Sequence, residues 1–228
     1  MPLRLGRRSI SLICKSHAQS QVPPSPPLTP HSFGGVVFPA SILHAASRDA
    51  SQWAELDLPT FRKNNTKAIR TPEITSFAQH LRTQHRRIGA IGFCYGGWAV
   101  FHLGSKSNSP PLVDCISTAH PTWLTKEEMA NVGVPVQIVA PEKDSEFTEE
   151  LKMYAVTEIP RLGVPFDYQY FPGLKHGFVT RGDQEDEEER RAVGRARRAA
   201  VAWLREWLVE VEREEGEGGG SETGEGAA

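Results

Sequence analysis

Cys94 closes an apolar run, Ile88 to Phe93, and has glycine two positions before it (Gly92) and two after it (Gly96). A strand that ends on a nucleophile, turns sharply and enters a helix has this pattern, because side chains beside the corner would block the turn. A thiolate there can attack an acyl carbon, provided a base accepts its proton and a third group orients that base. Two later segments supply both. Glu142-Lys143-Asp144 follows the apolar run Val134–Ala140, and Gly173-Leu174-Lys175-His176-Gly177-Phe178 follows Phe166–Phe171. Nucleophile, acid and base thus occur in the order Cys94, Asp144, His176, each just past a predicted strand. Each also has a plainer reading. Cys94 would be a buried structural thiol, Asp144 a cap ahead of Thr148 with Glu142 as the acid instead, and His176 a loop histidine bonded to backbone.

The elements that must carry these groups alternate. Thr71-Pro72-Glu73 predicts a helix start, with a hydroxyl cap and proline at the first position, and Ile74, Phe77, Ala78 and Leu81 keep helical spacing to about Gln84. Strand Ile88–Phe93 leads to a helix from Tyr95 to about Gly104. Strand Val113–Ser117 is followed by His120-Pro121 and a polar stretch through Asn131. Strand Val134–Ala140 precedes a helix from about Thr148 to Pro160, and strand Phe166–Phe171 precedes a long helix from about Glu185 to Val211. Such alternation predicts an α/β fold, a mostly parallel sheet with helices on both faces. Ligands of such sheets sit at the carboxyl ends of the strands, where Cys94, Asp144 and His176 fall. His120 also follows a strand, and is expected to wall a pocket or organise its loop. His80, His85 and His102 fall on helices and read as surface or packing residues.

A chain of 228 residues with a net charge of −2 fits one domain with tails and gives no reason to expect nucleic acid or an acidic membrane as partner. Its three cysteines, Cys14, Cys94 and Cys115, make neither a disulfide framework nor a C-x-x-C pair, so reduced thiols and no zinc site are expected. No run reaches the roughly 18 apolar residues of a membrane span. Residues 1–32 are basic, then proline-rich, and read as unstructured; their Arg4, Arg7, Arg8 and Lys15 also have the composition of a mitochondrial presequence. Phe33 to Ser41 offers one short strand, residues 33–211 form the domain, and the glycine- and glutamate-rich residues 212–228 read as a disordered acidic tail.

Gly92-Phe93-Cys94-Tyr95-Gly96-Gly97, Ala119-His120-Pro121, and Gly173-Leu174-Lys175-His176-Gly177-Phe178 with Arg181-Gly182 together resemble the dienelactone hydrolase family. The pattern covers residues 53–228, and Asp57-Leu58-Pro59 resembles its fungal branch. The order nucleophile, acid, histidine is that of α/β-hydrolases. The resemblance implies an α/β-hydrolase-like fold and hydrolysis of small esters or lactones through a thioester. In that scheme Cys94 is the nucleophile, His176 the base and Asp144 its orienting acid. The backbone N–H of Tyr95 would be one oxyanion donor, and Trp98, His120 and Phe178 would contact substrate. No metal or organic cofactor is required, and a cytoplasmic monomer acting on a small molecule is expected, with mitochondria as the alternative location.

The departure from the family lies upstream. Members carry several strands before the elbow strand, and a loop there gives the second oxyanion donor. Bacterial members also place a glutamate against the resting thiol. Here 87 residues precede Ile88, no Asp or Glu occurs before Asp49, and Glu55 and Asp57 stand in no matching context. Loss of an oxyanion donor costs about 10²–10³ in turnover. The competing expectation is therefore an N-terminally shortened, truncated or mis-spliced relative, its first strands missing, that is catalytically impaired or acts only as a binding scaffold.

Overall fold

A computed structural model describes residues 10–14, 34–37, 58–183 and 185–210. The strands are β1 (Ile10–Cys14), β2 (Gly34–Val37), β3 (Ile88–Phe93), β4 (Cys115–Ala119), β5 (Val136–Lys143) and β6 (Phe166–Lys175). They form one sheet in the order β2-β1-β3-β4-β5-β6, every neighbouring pair parallel. The helices are α1 (Leu58–Asn64), α2 (Lys67–Arg82), α3 (Gly96–Leu103), α4 (Lys126–Ala130), α5 (Glu149–Glu158), α6 (Phe178–Arg181) and α7 (Glu187–Arg205), the last continued by a π-turn over Glu206–Glu210.

Apolar faces of the helices cover both sides of the sheet. On one side α2, α3, α4 and α5 bury Leu81, Trp98, Phe101, Met129 and Ala155 against Ile88, Ile116 and Ile138. On the other, α6 and α7 bring Phe178 and Ala196 onto Val139 and Phe171. Leu204 and Leu208 press on Cys115, and a side chain at Gly89 would meet both leucines at 2.9 Å. Trp203 anchors α7 by donating its indole N–H to the Ile116 carbonyl at 3.0 Å. Gln137, buried under the same helix, accepts from the Ser117 hydroxyl and donates to Asp167 and to the Ala199 carbonyl.

Four differences from the sequence expectations have physical causes. Residues 10–14, expected to be unstructured, form β1, whose backbone pairs with β2 on one side and β3 on the other. Its run Ile-Ser-Leu-Ile-Cys is short and apolar, enough for a strand once two neighbours satisfy its backbone. The rest of the expected basic leader and the acidic tail after residue 210 lie outside the described residues. Helix α2 starts not at Pro72 but at Lys67, where the Thr66 hydroxyl accepts from the Ile69 N–H. Arg70 bonds Asn65 Oδ1, and the Tyr95 hydroxyl donates to the Asn65 carbonyl at 2.6 Å, so the added turn is pinned from outside and Pro72 is tolerated inside the helix. Within the polar stretch to Asn131, Thr125 and Glu128 form a capping box that starts α4. Strand β6 runs past Pro172 to Lys175, because an irregularity between Pro141 and Lys143 restores pairing at Lys143↔Lys175.

Register then delivers the site. Phe93 pairs with Ala119, so Cys94 and His120 are the next residues off two adjacent strands. Lys143 pairs with Lys175, so Asp144 and His176 leave the next pair in the same way. Four chemistry-bearing side chains thereby reach one end of the sheet from four consecutive strands.

Candidate active site

The turn at Cys94 is held from three directions. Its N–H donates to the Ala119 carbonyl at 3.2 Å, and its carbonyl accepts from Gly97 N–H (2.9 Å) and Thr122 N–H (2.8 Å). Cys94 itself has φ 48°, in the left-handed region that a side chain disfavours, and His120 beside it has φ 40°. Two strained residues at one corner, each fixed by backbone bonds, are characteristic of functional sites. A Cβ at Gly92 would lie 2.2 Å from the Gly96 carbonyl oxygen, and one at Gly97 2.3 Å from Pro121 Cβ. The strand, the helix and the 119–122 loop thus meet at backbone distance. Gly92→Ala is expected to cost about 1–3 kcal/mol of stability, since backbone must move. A denaturation midpoint equal to wild type would contradict this packing.

Below the turn, His176 Nδ1–H donates to Asp144 Oδ1 at 2.9 Å. The same oxygen accepts from the N–H groups of Glu146 (2.9 Å) and Phe147 (3.0 Å), and the Asp144 side chain is 0 % exposed. Glu142, the alternative acid, is exposed and accepts from the Gly173 N–H instead. The His176 backbone N–H is tied to the Lys143 carbonyl at 2.9 Å, and Gly177, at φ 87°, makes the turn into α6 that only glycine takes without strain. The other nitrogen of His176, Nε2, lies 3.4 Å from Thr122 Oγ1.

The sulfur has a partner, His120, that the sequence placed as a pocket wall or substrate contact. Cys94 Sγ is 3.2 Å from His120 Nδ1. Cys94 Sγ and a ring nitrogen from each of His120 and His176 all lie within 4.8 Å of one another. His120 is 0 % exposed and is ringed by Phe93, Phe178 and His176, with centroids 6.4, 5.9 and 5.1 Å away. The signal that would have found it is register: the residue after β4 must sit beside the residue after β3. Among the described residues the sulfur's neighbours are imidazoles, where bacterial family members are expected to use a glutamate.

The remaining candidates divide. Phe178 stacks on the site through His120 and Phe171 but is 2 % exposed, so it packs the histidine. Trp98, expected to contact substrate, is 1 % exposed and belongs to the core on α3, in edge contact with Tyr95 and under Lys67. The physical reason is packing: Trp98 fills the core with Tyr95 and Phe101. The Tyr95 ring lies against Trp98 and Trp123, leaving its backbone as the part that follows Cys94 round the turn.

Burial alone would push the Cys94 thiol up. The charge and hydrogen bond of His120, then those of His176, outweigh it and bring the thiol down to about 5. His176 moves the opposite way: burial lowers it, but the bonds to Asp144 and Cys94 raise it to about 9. Asp144 is held below its ordinary value: burial opposes its charge, but the bonds from His176 and the Phe147 N–H prevail. Burial drives Cys115 far upward, so it is inert. Iodoacetamide should therefore alkylate Cys94 at a rate that falls only as pH drops through about 5, where the thiolate is protonated. His120→Asn should move that midpoint upward. A wild-type midpoint near the ordinary thiol value of about 8.5 would contradict the pairing.

A parallel α/β sheet with a cysteine on the strand-to-helix turn, and with Asp and His leaving later strands, is an α/β-hydrolase-like architecture. The chain belongs to the dienelactone hydrolase family, whose sequence pattern matches residues 34–208. Hydrolase tropI of Talaromyces stipitatus is 29% identical over 165 residues, 71% of this chain and 63% of that protein. The human carboxymethylenebutenolidase homolog is 26% identical over 144 residues, 60% of this chain and 56% of that one. The chain thus spans less than two thirds of the length of these curated relatives. Among solved structures, a dienelactone hydrolase-like promiscuous phosphotriesterase from metagenomic libraries shares the fold at a TM-score of 0.57 and 16% identity, over 89% of this chain and 87% of that one. A carboxylesterase from Lactobacillus plantarum does so at 0.52 and 17% identity, over 88% and 86%. No helix among the described residues is long and apolar enough to cross a membrane.

Proposed function

We propose that the chain hydrolyses small esters or lactones through a thioester on Cys94. The observation that supports this most is the row Asp144, His176, Cys94, with Asp144 Oδ1 2.9 Å from His176 Nδ1 and a His176 ring nitrogen within 4.8 Å of Cys94 Sγ. The Cys94 thiolate attacks the carbonyl carbon, and the carbonyl electrons move to an oxygen that takes a hydrogen bond from the Tyr95 N–H. The C–O bond then breaks, and the departing oxygen takes the proton of His176 Nε2, which in a lactone opens the ring. His176, neutral again, accepts a proton from water; the hydroxide attacks the thioester and the thiolate leaves. Asp144 keeps Nδ1 protonated, so that Nε2 faces the reaction. His120 adds its dipole or charge to the sulfur and lowers the cost of the resting thiolate.

The substrate is a single small molecule reached by a monomer, and a reactive thiol suits a reducing compartment such as the cytoplasm. The test is hydrolysis of p-nitrophenyl acetate and of a dienelactone by the purified chain. Turnover supports the reading. A folded chain without turnover on either would replace it with the impaired or binding-scaffold reading.

A further inference from the structure

We propose that Cys94, His120 and His176 form a three-donor site for a thiophilic divalent cation, zinc being the representative, which shuts off the thiol reversibly when it binds. The spacing carries this. One sulfur and two imidazole nitrogens lie within 4.8 Å of one another, and Sγ to His120 Nδ1 is already 3.2 Å. Tetrahedral zinc, with bonds of about 2.0–2.3 Å to nitrogen and sulfur, holds its donors about 3.3–3.6 Å apart. The three donors thus start within roughly 1.5 Å of that spacing.

The surroundings match what such a site needs. His176 gives Nδ1–H to a buried carboxylate, Asp144, the partner that metal-bound histidines usually have, and this leaves Nε2 as the donor. His120 is wholly buried, and its ring makes one side-chain hydrogen bond among the described residues, to the Cys94 sulfur. Cys94 and His176 are part-exposed, so a hydrated cation can reach the sulfur. The two histidines lie 26 and 82 residues after Cys94, on the ends of different strands, so no compact C-x-x-C spacing betrays the site. On binding, the lone pairs of Cys94 Sγ, His176 Nε2 and His120 Nδ1 go to the metal, the proton shared by Sγ and Nε2 is released, His120 holds its remaining proton on Nε2, and water takes the fourth position. Metal binding rests on the three donors alone, and only the shutting-off rests on the proposed hydrolysis.

The full chain, kept reduced without added thiol, is titrated with Zn²⁺ by calorimetry and with Co²⁺ by absorption. One equivalent should bind, with a thiolate-to-cobalt charge-transfer band that is absent in Cys94→Ser. His120→Asn and His176→Asn should each weaken binding at least tenfold. Zn²⁺ should also protect Cys94 of the wild type from iodoacetamide, a readout that needs no variant. Absence of saturable binding, a band that persists in Cys94→Ser, or unchanged affinity in His120→Asn would overturn the three-donor site. Binding without loss of esterase turnover would overturn the shutting-off. Binding by a chain that hydrolyses nothing would uphold the site and sink the hydrolase reading.

Discussion

Replacing Cys94 with alanine should lower kcat/KM for p-nitrophenyl acetate by about 10⁴-fold or more, with the fold intact. The expectation of an intact fold rests on the turn itself. The bonds that hold it run from the Cys94 N–H and carbonyl, which alanine retains, and alanine's Cβ is the one already accommodated at φ 48°. What is lost is the nucleophile, and groups that act as a unit cannot compensate for it. Cys94→Ser is the sharper comparison, because serine occupies this position in most such elbows. Here the hydroxyl would meet two imidazoles spaced for sulfur, and their pull cannot ionise an alcohol near neutral pH. A serine variant near wild-type rate would contradict a mechanism built on a resting thiolate.

The second large effect belongs to Asp144→Asn, expected to cost about 10⁴-fold in kcat where an Asp of this role is lost. The carboxamide oxygen of the variant can still accept the Glu146 and Phe147 N–H bonds, so the loop keeps its shape. That same oxygen position also takes the His176 Nδ1–H bond, so the variant keeps a neutral hydrogen bond to the ring and loses the negative charge behind it. Without that charge the imidazolium that forms when His176 takes up a proton is no longer stabilised, and the base is weakened. The effect should fall on kcat more than on KM, and the charge that holds His176 up to about 9 is removed, so its titration should move downward. A variant with wild-type kcat would show that Asp144 is a loop cap and no more.

Much of this site can be read from residue order alone, because its parts obey local rules. An apolar run, a flanked cysteine, and Asp and His just beyond two more apolar runs require no knowledge of packing. The features that residue order misses depend on partners distant in sequence. His120 becomes the sulfur's neighbour only when Phe93 and Ala119 are in register. Ile10–Cys14 is a strand because β2 and β3 flank it, against the impression left by the prolines that follow. Trp98 reads as a pocket wall from its place in the motif, but the face it occupies on α3 is the one turned to the core. Pro172 and Gly173 mark an end to β6 that the pairing at Lys143↔Lys175 overrides.

The most direct test of the account is the mass of the enzyme quenched during turnover of p-nitrophenyl acetate. One acetyl group should appear on the peptide that contains Cys94, build up with the initial burst of nitrophenol and disappear as substrate runs out. Turnover with the acetyl group on another residue, or with Cys94 never labelled, would contradict the account.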